Sequence, residues 1–443
     1  VPALTDPDTI AALATAPGPG AVAVIRMSGG GALRVAGSSF RGEAAPGDLA
    51  GFTGRHGWIW GADGPRDEVI LWVYRAPRSY TGEDMVEISC HGGPVSARRV
   101  LEALYGAGAR PAEPGEFTRR AFLNGKLDLA QAEAVAALIA ARGRRAQEQA
   151  LVQLSGGLST RVREVAGRVR GALAAIEAHL DFGEEVPEPP DTGGLRAAVT
   201  ESRHALERLA GTRRSARALC EGWSVAIAGR PNAGKSSLMN AMLGYDRALV
   251  HPHPGTTRDV VDAWVEWAGV SVRLLDTAGL RESAADVERA GIDRARREVS
   301  GADCVLWVVD ATTAPGEEDR RLLASLDPAR VHLVLNKMDL PAARPRAWRD
   351  ALAGTRRFPT SARTGSGIGE MIGELAGRFD TDLPDAEGIV VTSDRHARLL
   401  EAGSAALARA EASLGTGHPA EVVAADLRHC LEALAAITGD AAG

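Results

Sequence analysis

Four cysteines in 443 residues are few, and Cys90, Cys220, Cys304 and Cys430 stand far apart with no Cys-x-x-Cys spacing. That argues against a disulfide framework and a zinc cluster, and it suits a reducing cytosol. Surplus positive charge is also lacking: 51 Lys and Arg face 57 Asp and Glu, a formal net charge of −6. A global polycation for nucleic acid is thereby excluded, and any such contact must be a local patch. No apolar run approaches the ~18 residues of a membrane span. Asp6 and Asp8 interrupt the apolar positions near the N-terminus, which argues against a signal peptide. What is present is ordinary for globular protein, 45% hydrophobic and 24% charged residues, at a length that suggests about three domains.

The texture changes along the chain. Residues 1–122 mix short β-type runs with Gly and Pro and read as an α/β domain. Val69–Tyr74 is an apolar run of buried-strand type, and Met85–Ser89 alternates like a half-buried strand. A helix is predicted over about Val95–Tyr105, ended by Gly106 and Gly108. Residues 123–219 and 381–443 are rich in Ala, Leu, Arg and Glu at helical spacing, with a break at the Pro-rich stretch Val186–Pro190. They read as one helical bundle in two segments, because helices flanking an insertion each need their apolar stripe covered. The insertion, residues 220–380, alternates apolar runs with helical patterns. Ser224–Ala228, Val272–Leu275, Cys304–Val309 and Val331–Leu335 are the strands of a doubly wound parallel sheet. The fold class is therefore multidomain, α/β plus α.

The strongest motif is Gly229-Arg-Pro-Asn-Ala-Gly234-Lys235-Ser236, a GxxxxGK[ST] phosphate loop between a predicted strand and a predicted helix. Its glycines let backbone N–H groups wrap phosphates at a helix N-terminus. Asn232, Ala233, Gly234, Lys235, Ser236 and Ser237 are the candidate contacts. Lys235 adds charge at the β- and γ-phosphates, and the Ser236 hydroxyl suits Mg2+. Downstream motifs follow in GTPase order. Thr256 and Thr257, in Gly255-Thr-Thr-Arg-Asp259, are placed at the γ-phosphate, with Thr257 completing the Mg2+ shell. Asp276, Thr277, Ala278 and Gly279 follow an apolar strand, with Asp276 acting on the metal through water. Asn336, Lys337 and Asp339 follow another strand. A carboxylate only accepts, and guanine offers it N1–H and N2–H2 together. Ser361, Ala362 and Arg363 supply backbone support to the guanine oxygen. One expected part is missing: Leu280 stands where Ras-type enzymes orient water with Gln. Arg281, Glu282, Asp286 and Glu288 are nearby polar candidates for that task.

Further motifs extend over almost the whole chain. They include Asp8-Thr-Ile-Ala-Ala-Leu-Ala-Thr15, Ile25-Arg-Met-Ser-Gly29, Tyr80-Thr-Gly-Glu-Asp84 and His91-Gly-Gly-Pro94. Pro114-Gly-Glu-Phe-Thr118 and Ala121-Phe-Leu-Asn-Gly-Lys-Leu-Asp-Leu129 complete the set. With them the sequence resembles the MnmE (TrmE) family, the tRNA wobble-uridine modification GTPases.

The resemblance implies a folate-binding N-terminal domain that forms a homodimer, a helical domain and an inserted G domain. It implies that a flavoprotein partner, MnmG (GidA), joins in installing a carboxymethylaminomethyl-type group at carbon 5 of wobble uridine 34 in certain tRNAs. A tetrahydrofolate derivative, 5-formyl or 5,10-methylene in type, supplies the one-carbon unit. The family's folate contacts fall on Arg26, Glu87 and Lys126. A donor-rich pterin edge suits a carboxylate, and anionic glutamate suits basic side chains. The resemblance also implies K+ in the role of an arginine finger, with Asn232 as side-chain ligand and Glu288 orienting water. His251, His253 and Thr256 border the K+ loop, which here reads His251-Pro-His-Pro254.

The family pattern closes with Phe-Cys-Ile-Gly-Lys, whose cysteine is implicated in modification and whose lysine contacts folate. This sequence stops at Ile437-Thr-Gly-Asp-Ala-Ala-Gly443. Either the chain is truncated or it lacks full modification chemistry, and GTP hydrolysis is expected in both cases. Cys430 reads as a packed thiol inside a helical run. Two rival readings remain at this point: a regulatory or ribosome-assembly GTPase switch without modification chemistry, and a folate-binding scaffold. Arg142, Arg144, Arg145, Arg213, Arg214 and Arg217 could face tRNA phosphates, with a solvated helix face as the simpler reading.

Overall fold

The computed structural model describes residues 8–182, 192–245, 262–276, 301–317, 327–348, 355–381 and 388–440. The chain divides into two compact units. One holds residues 1–136 with 438–441 and 443, the other residues 137–437 with 442. The expected Pro-rich break at Val186–Pro190 lies outside the described residues.

The first unit is built on a seven-stranded sheet. Its strands are β1 (Ile10–Leu13), β2 (Val22–Ser28), β3 (Phe40–Gly42), β4 (Thr53–Gly61), β5 (Gly64–Tyr74), β6 (Met85–His91) and β7 (Arg110–Pro111). The spatial order is β3-β4-β5-β6-β2-β1-β7, antiparallel except for β1 against β7. Helices α1 (Ala32–Ser39) and α2 (Pro94–Gly106) bring Val35, Val100 and Leu104 onto Ile25, Leu71 and Ile88. Each such side chain contributes roughly 1.5–3 kcal/mol by leaving water. The run Val69–Tyr74 departs from its reading as a buried strand: Val69, Leu71 and Val73 are buried, but Ile70 and Trp72 are 47% and 41% exposed. Helices α1 and α2 pack on the face that carries Val69, Leu71 and Val73, so alternate side chains of even a continuous apolar run end outside that core.

In β6, Glu87 lies directly across from Arg26 of β2, and on its other side across from Trp72 of β5. Helix α3 (Glu116–Leu123) starts after Gly115. Its Glu116, 1% exposed, accepts from Arg110 at 2.9 and 2.6 Å and from Arg120 at 3.0 Å. The Arg110 guanidinium first, then the Glu113 N–H and Arg120, lower the Glu116 carboxyl to about 2 against burial, which raises it.

The second unit combines helices with a second sheet. Helices α4 (Leu129–Ala140), α5 (Arg144–Leu154), α6 (Gly157–Phe182), α7 (Thr192–Gly211) and α8 (Arg213–Glu221) precede the sheet, α4 beginning in the first unit. After the sheet come α10 (Ile368–Thr381), α11 (Asp394–Thr416) and α12 (Ala420–Thr438). Gly403 of α11 lets three helices close up: a Cβ there would stand 3.2 Å from Leu206 of α7 and 3.6 Å from the Cys430 sulfur of α12. Helices from both sides of the insertion thus pack on one another. Cys430 is fully buried, and burial pushes its thiol up to about 12, so it is a packed, inert group. Gln149 and Gln153 of α5 donate to the carbonyls of Gly388 and Val390 at 3.0 and 2.6 Å, fixing the segment that leads from the insertion back into α11.

The inserted sheet contains β8 (Trp223–Gly229), β9 (Asp262–Trp267), β10 (Val270–Asp276), β11 (Cys304–Asp310), β12 (Val331–Asn336) and β13 (Arg357–Pro359). Its order is β13-β12-β11-β8-β10-β9. All neighbours are parallel except β9, which runs antiparallel to β10. The β9–β10 hairpin turns through Ala268 and Gly269, both at positive φ, the two-residue geometry that matches strand twist. Both faces are covered. Val225 and Ile227 of β8 enter one core with Leu238 and Met242 of α9 (Lys235–Tyr245), while Ala226 and Ala228 enter another with Trp307 and Trp348. That two-sided burial accounts for the unbroken apolar run of β8.

Candidate functional site

Strand β8 ends at Gly229 and α9 begins at Lys235, and the intervening turn is shaped by backbone that L residues avoid. Gly229 has φ 142°, and a Cβ there would strike the Val308 carbonyl of β11. Gly234 has φ 96°, and a Cβ there would strike the Asn336 amide. Asn232, exposed, is also left-handed at φ 62°. The turn leads directly into the first turn of α9, and N–H groups at the start of a helix are an anion-binding arrangement. Lys235 is 9% exposed and its Nζ donates to the Arg230 carbonyl at 2.9 Å, which holds the ammonium over the loop.

The Ser236 hydroxyl donates to Asp276 Oδ2 at 3.0 Å, and Asp276 is 6% exposed. Parallel pairing of β8 with β10 brings these two motifs together. A hydroxyl beside a buried carboxylate is an all-oxygen donor pair, which fits Mg2+.

Asn336, 2% exposed, is the joint of the site. Its amide donates to the Ala233 carbonyl at 2.9 Å, and its Oδ1 accepts from the Ala362 N–H at 3.0 Å. One side chain therefore links the phosphate loop to the Ser361–Arg363 loop. Asp339 accepts from the Ser361 hydroxyl at 2.6 Å on Oδ1 and from Arg363 Nε at 2.9 Å on Oδ2. The Ser361 hydroxyl first, and Arg363 against the opposing effect of burial, hold its carboxyl below the usual range. Lys337, at φ 67°, donates to Asp310 Oδ2 at 2.6 Å. Burial works against the charge on Asp310, but Lys337 and Thr312 hold it ionised.

In the first unit, Arg26, Glu87 and Lys126 line one open cavity of about 510 Å3 together with Phe52, Tyr74, Tyr80 and Met85. Arg26 Nε and Nη2 reach Glu87 Oε1 at 2.8 and 2.7 Å. The Tyr74 hydroxyl donates to Glu87 Oε2 at 3.2 Å. The Arg26 guanidinium also lies over the rings of Tyr80 and Phe117, 5.0 and 5.8 Å from their centroids.

Comparison with known proteins follows the same division. Residues 9–126 match the family model described as GTP-binding protein TrmE N-terminus, and residues 129–443 match the model described as MnmE helical domain. The chain belongs to the MnmE family. A relative from Symbiobacterium thermophilum, named tRNA modification GTPase MnmE, is 43% identical over 98% of this chain and 96% of its own length. One of the same name from Chlorobium luteolum is 43% identical over 98% of this chain and 95% of its own. Among solved structures, the G domain of the T. maritima FeoB iron transporter is 28% identical, covering 36% of this chain and 98% of that one, at a TM-score of 0.28.

Of the residues that the MnmE pattern singles out, His251, His253, Thr256, Thr257, Thr277, Ala278, Gly279 and Glu288 lie outside the described residues. Four of the six basic candidates meet partners within the chain. Arg142 stacks 4.2 Å over Trp264, and Arg144, Arg213 and Arg217 pair with Glu148, Asp394 and Glu221. Sequence reading missed Asp310, Tyr74 and Phe117. Tyr74 closes the apolar run of β5 and Phe117 lies inside the Pro114–Thr118 motif, but which side chain each faces depends on strand register and helix packing. Among the described residues no helix is long and apolar enough to cross a membrane.

Proposed function

We propose that the chain hydrolyses GTP at the β8–α9 loop in a K+-stimulated reaction. With an MnmG-type flavoprotein, it uses that cycle to install a carboxymethylaminomethyl-type group at carbon 5 of wobble uridine 34 in tRNA. The observation that carries the nucleotide half is Asn336, which bridges the phosphate loop and the guanine-side loop. Lys235 and the N–H groups opening α9 bind the β- and γ-phosphates. Asp339 accepts from guanine, a pairing that adenine, with an acceptor at N1, does not offer. Ser236 and Asp276 would hold Mg2+, which supplies charge neutralisation at the phosphates when bound. Asn232, exposed on the same loop, offers an amide oxygen suited to K+, and Glu288 is the proposed water-orienting group. The Arg26–Glu87–Lys126 cavity would take a tetrahydrofolate derivative, 5-formyl or 5,10-methylene in type. A homodimer in the cytoplasm is part of this reading.

The decisive experiment is nucleoside analysis of tRNA from a strain lacking the gene, with and without its return. Loss and recovery of C5-substituted uridine 34 is expected, and unchanged nucleosides would leave only a regulatory switch or a folate scaffold. For the cation, hydrolysis should fall severely when K+ is replaced by Na+. Equal rates would remove Asn232 from that role.

A further inference from the structure

The C-terminal ends of β8, β11 and β12 lie side by side, with β11 in the middle. The phosphate loop leaves β8 at Gly229, and the segment from Asn336 to Asp339 leaves β12. A guanine nucleotide that reaches from one to the other therefore crosses the end of β11, which is Asp310. Asp310 stands directly across from Asn336 in the register of these strands, and the Ala311 N–H donates to the Asn336 carbonyl at 2.9 Å. Both carboxylate oxygens of Asp310 are engaged. Oδ1 accepts from the Thr312 N–H at 2.9 Å and from the Thr312 hydroxyl at 2.6 Å, which fixes the plane of the group. Oδ2 accepts from Lys337 Nζ at 2.6 Å.

Lys337 sits at φ 67°, a left-handed backbone that a long side chain rarely adopts and that persists where neighbours over-determine it. Here the neighbours are Asn336, tied to the phosphate loop, and Asp339, tied to Ser361 and Arg363. From that backbone the four-methylene stem spans from the end of β12 to the carboxylate at the end of β11. A lysine held in this way is an apolar strip whose charge already has its partner. Left loose, the same side chain would carry its rotamer freedom into the binding step and lose it there. We propose that Asp310 is a positioning residue for the nucleoside: it holds Lys337 across the end of β11, so that the stem is in place as a floor for purine and ribose before the nucleotide arrives. This rests on the guanine-nucleotide reading of the β8–α9 site.

A purely structural Asp310, acting as a turn-former through Thr312, makes a different demand. Its removal would weaken binding whether or not residue 337 carries an ammonium, whereas a positioning role vanishes once the ammonium is gone. The test is a double-mutant cycle on the full chain, read as the dissociation constant of GDP by calorimetry. Asp310→Ala should raise that constant about fivefold, the scale of a partly exposed ion pair. Lys337→Met, which keeps an apolar stem without the charge, should do the same. The double variant should stay near about fivefold, where independent sites would give roughly 25-fold. Asp310→Asn keeps an acceptor for Thr312 and so spares the turn. It should raise the constant about two- to threefold alone and not at all beside Lys337→Met, which holds the cycle open if Asp310→Ala fails to fold. Additive losses, or wild-type affinity in Asp310→Ala, would overturn the positioning role and leave the nucleotide reading intact. A wild type that binds no GDP would overturn both.

Discussion

Asp339 is held from two sides, by the Ser361 hydroxyl on one oxygen and Arg363 on the other. Both donors favour the ionised form, so at neutral pH it presents acceptors alone. Asp339→Asn would turn one acceptor into a donor facing guanine N1–H or N2–H2. We expect GTP binding to weaken about 10- to 100-fold, the worth of one hydrogen bond to a charged group, with xanthosine triphosphate discriminated against less. A competition titration with both nucleotides checks this, and an unaltered preference would contradict the guanine assignment. Ser236→Ala acts on the metal pair: it removes the hydroxyl that donates to buried Asp276. The Mg2+ concentration for half-maximal hydrolysis should rise about tenfold or more, read from initial rates across a Mg2+ series.

Among the elements, β8 is the one on which the nucleotide site depends most, because it pairs with both β10 and β11 and ends in the phosphate loop. Gly229→Ala would place a methyl group against the Val308 carbonyl at a backbone angle that L residues rarely adopt. The β8–β11 pair must part or the loop must move, at a cost on the order of 1–3 kcal/mol for the backbone angle alone. Nucleotide binding should be lost and the urea midpoint lowered. Normal GTP binding by this variant would show that the turn tolerates a different path. This strand was legible in the sequence because burial on both faces leaves an unbroken apolar run, and because Gly229 and Gly234, at the spacing of a phosphate loop, mark where it ends. Val69–Tyr74 was not legible in the same way. It is equally apolar, but one-sided cover leaves Ile70 and Trp72 outside, and local pattern does not record which face is covered. The partners of Glu87 were hidden for a related reason. Arg26 meets it through the register of β2 with β6, and register is a property of paired strands, not of either alone.

At the scale of the whole molecule, the two units respond to acid over different pH ranges. In the second, His332 of β12 is 3% exposed, and its Nε2 accepts from Arg378 at 2.7 Å. Burial, then Arg378 and Arg356, lower its pKa from 6.5 to about 4; an imidazolium would have no lone pair for the guanidinium. The unfolded chain therefore takes up this proton first. The contribution is fully present above 6.5 and is lost as pH falls toward about 4. At about 1.4 kcal/mol per pH unit, it is on the order of 3 kcal/mol. In the first unit the corresponding group is Glu116, lowered from 4.5 to about 2, so its contribution is lost only below 4.5. His91 works in the other direction: Asp67 raises its pKa, so its share is present below the unfolded value and lost as pH rises. The second unit should thus weaken first as pH falls from 7 to 5. Two buried thiols report on this separately, Cys304 in β11 and Cys90 in β6. Labelling with a pyridyl disulfide, which reacts in acid, should show the Cys304 urea midpoint falling between pH 7 and 5 while that of Cys90 holds until pH drops below about 4.5. His332→Gln, which can still accept from Arg378 but does not titrate, should abolish the first shift. Both thiols moving together, or Cys90 moving first, would show that the acid response is governed by groups other than these two.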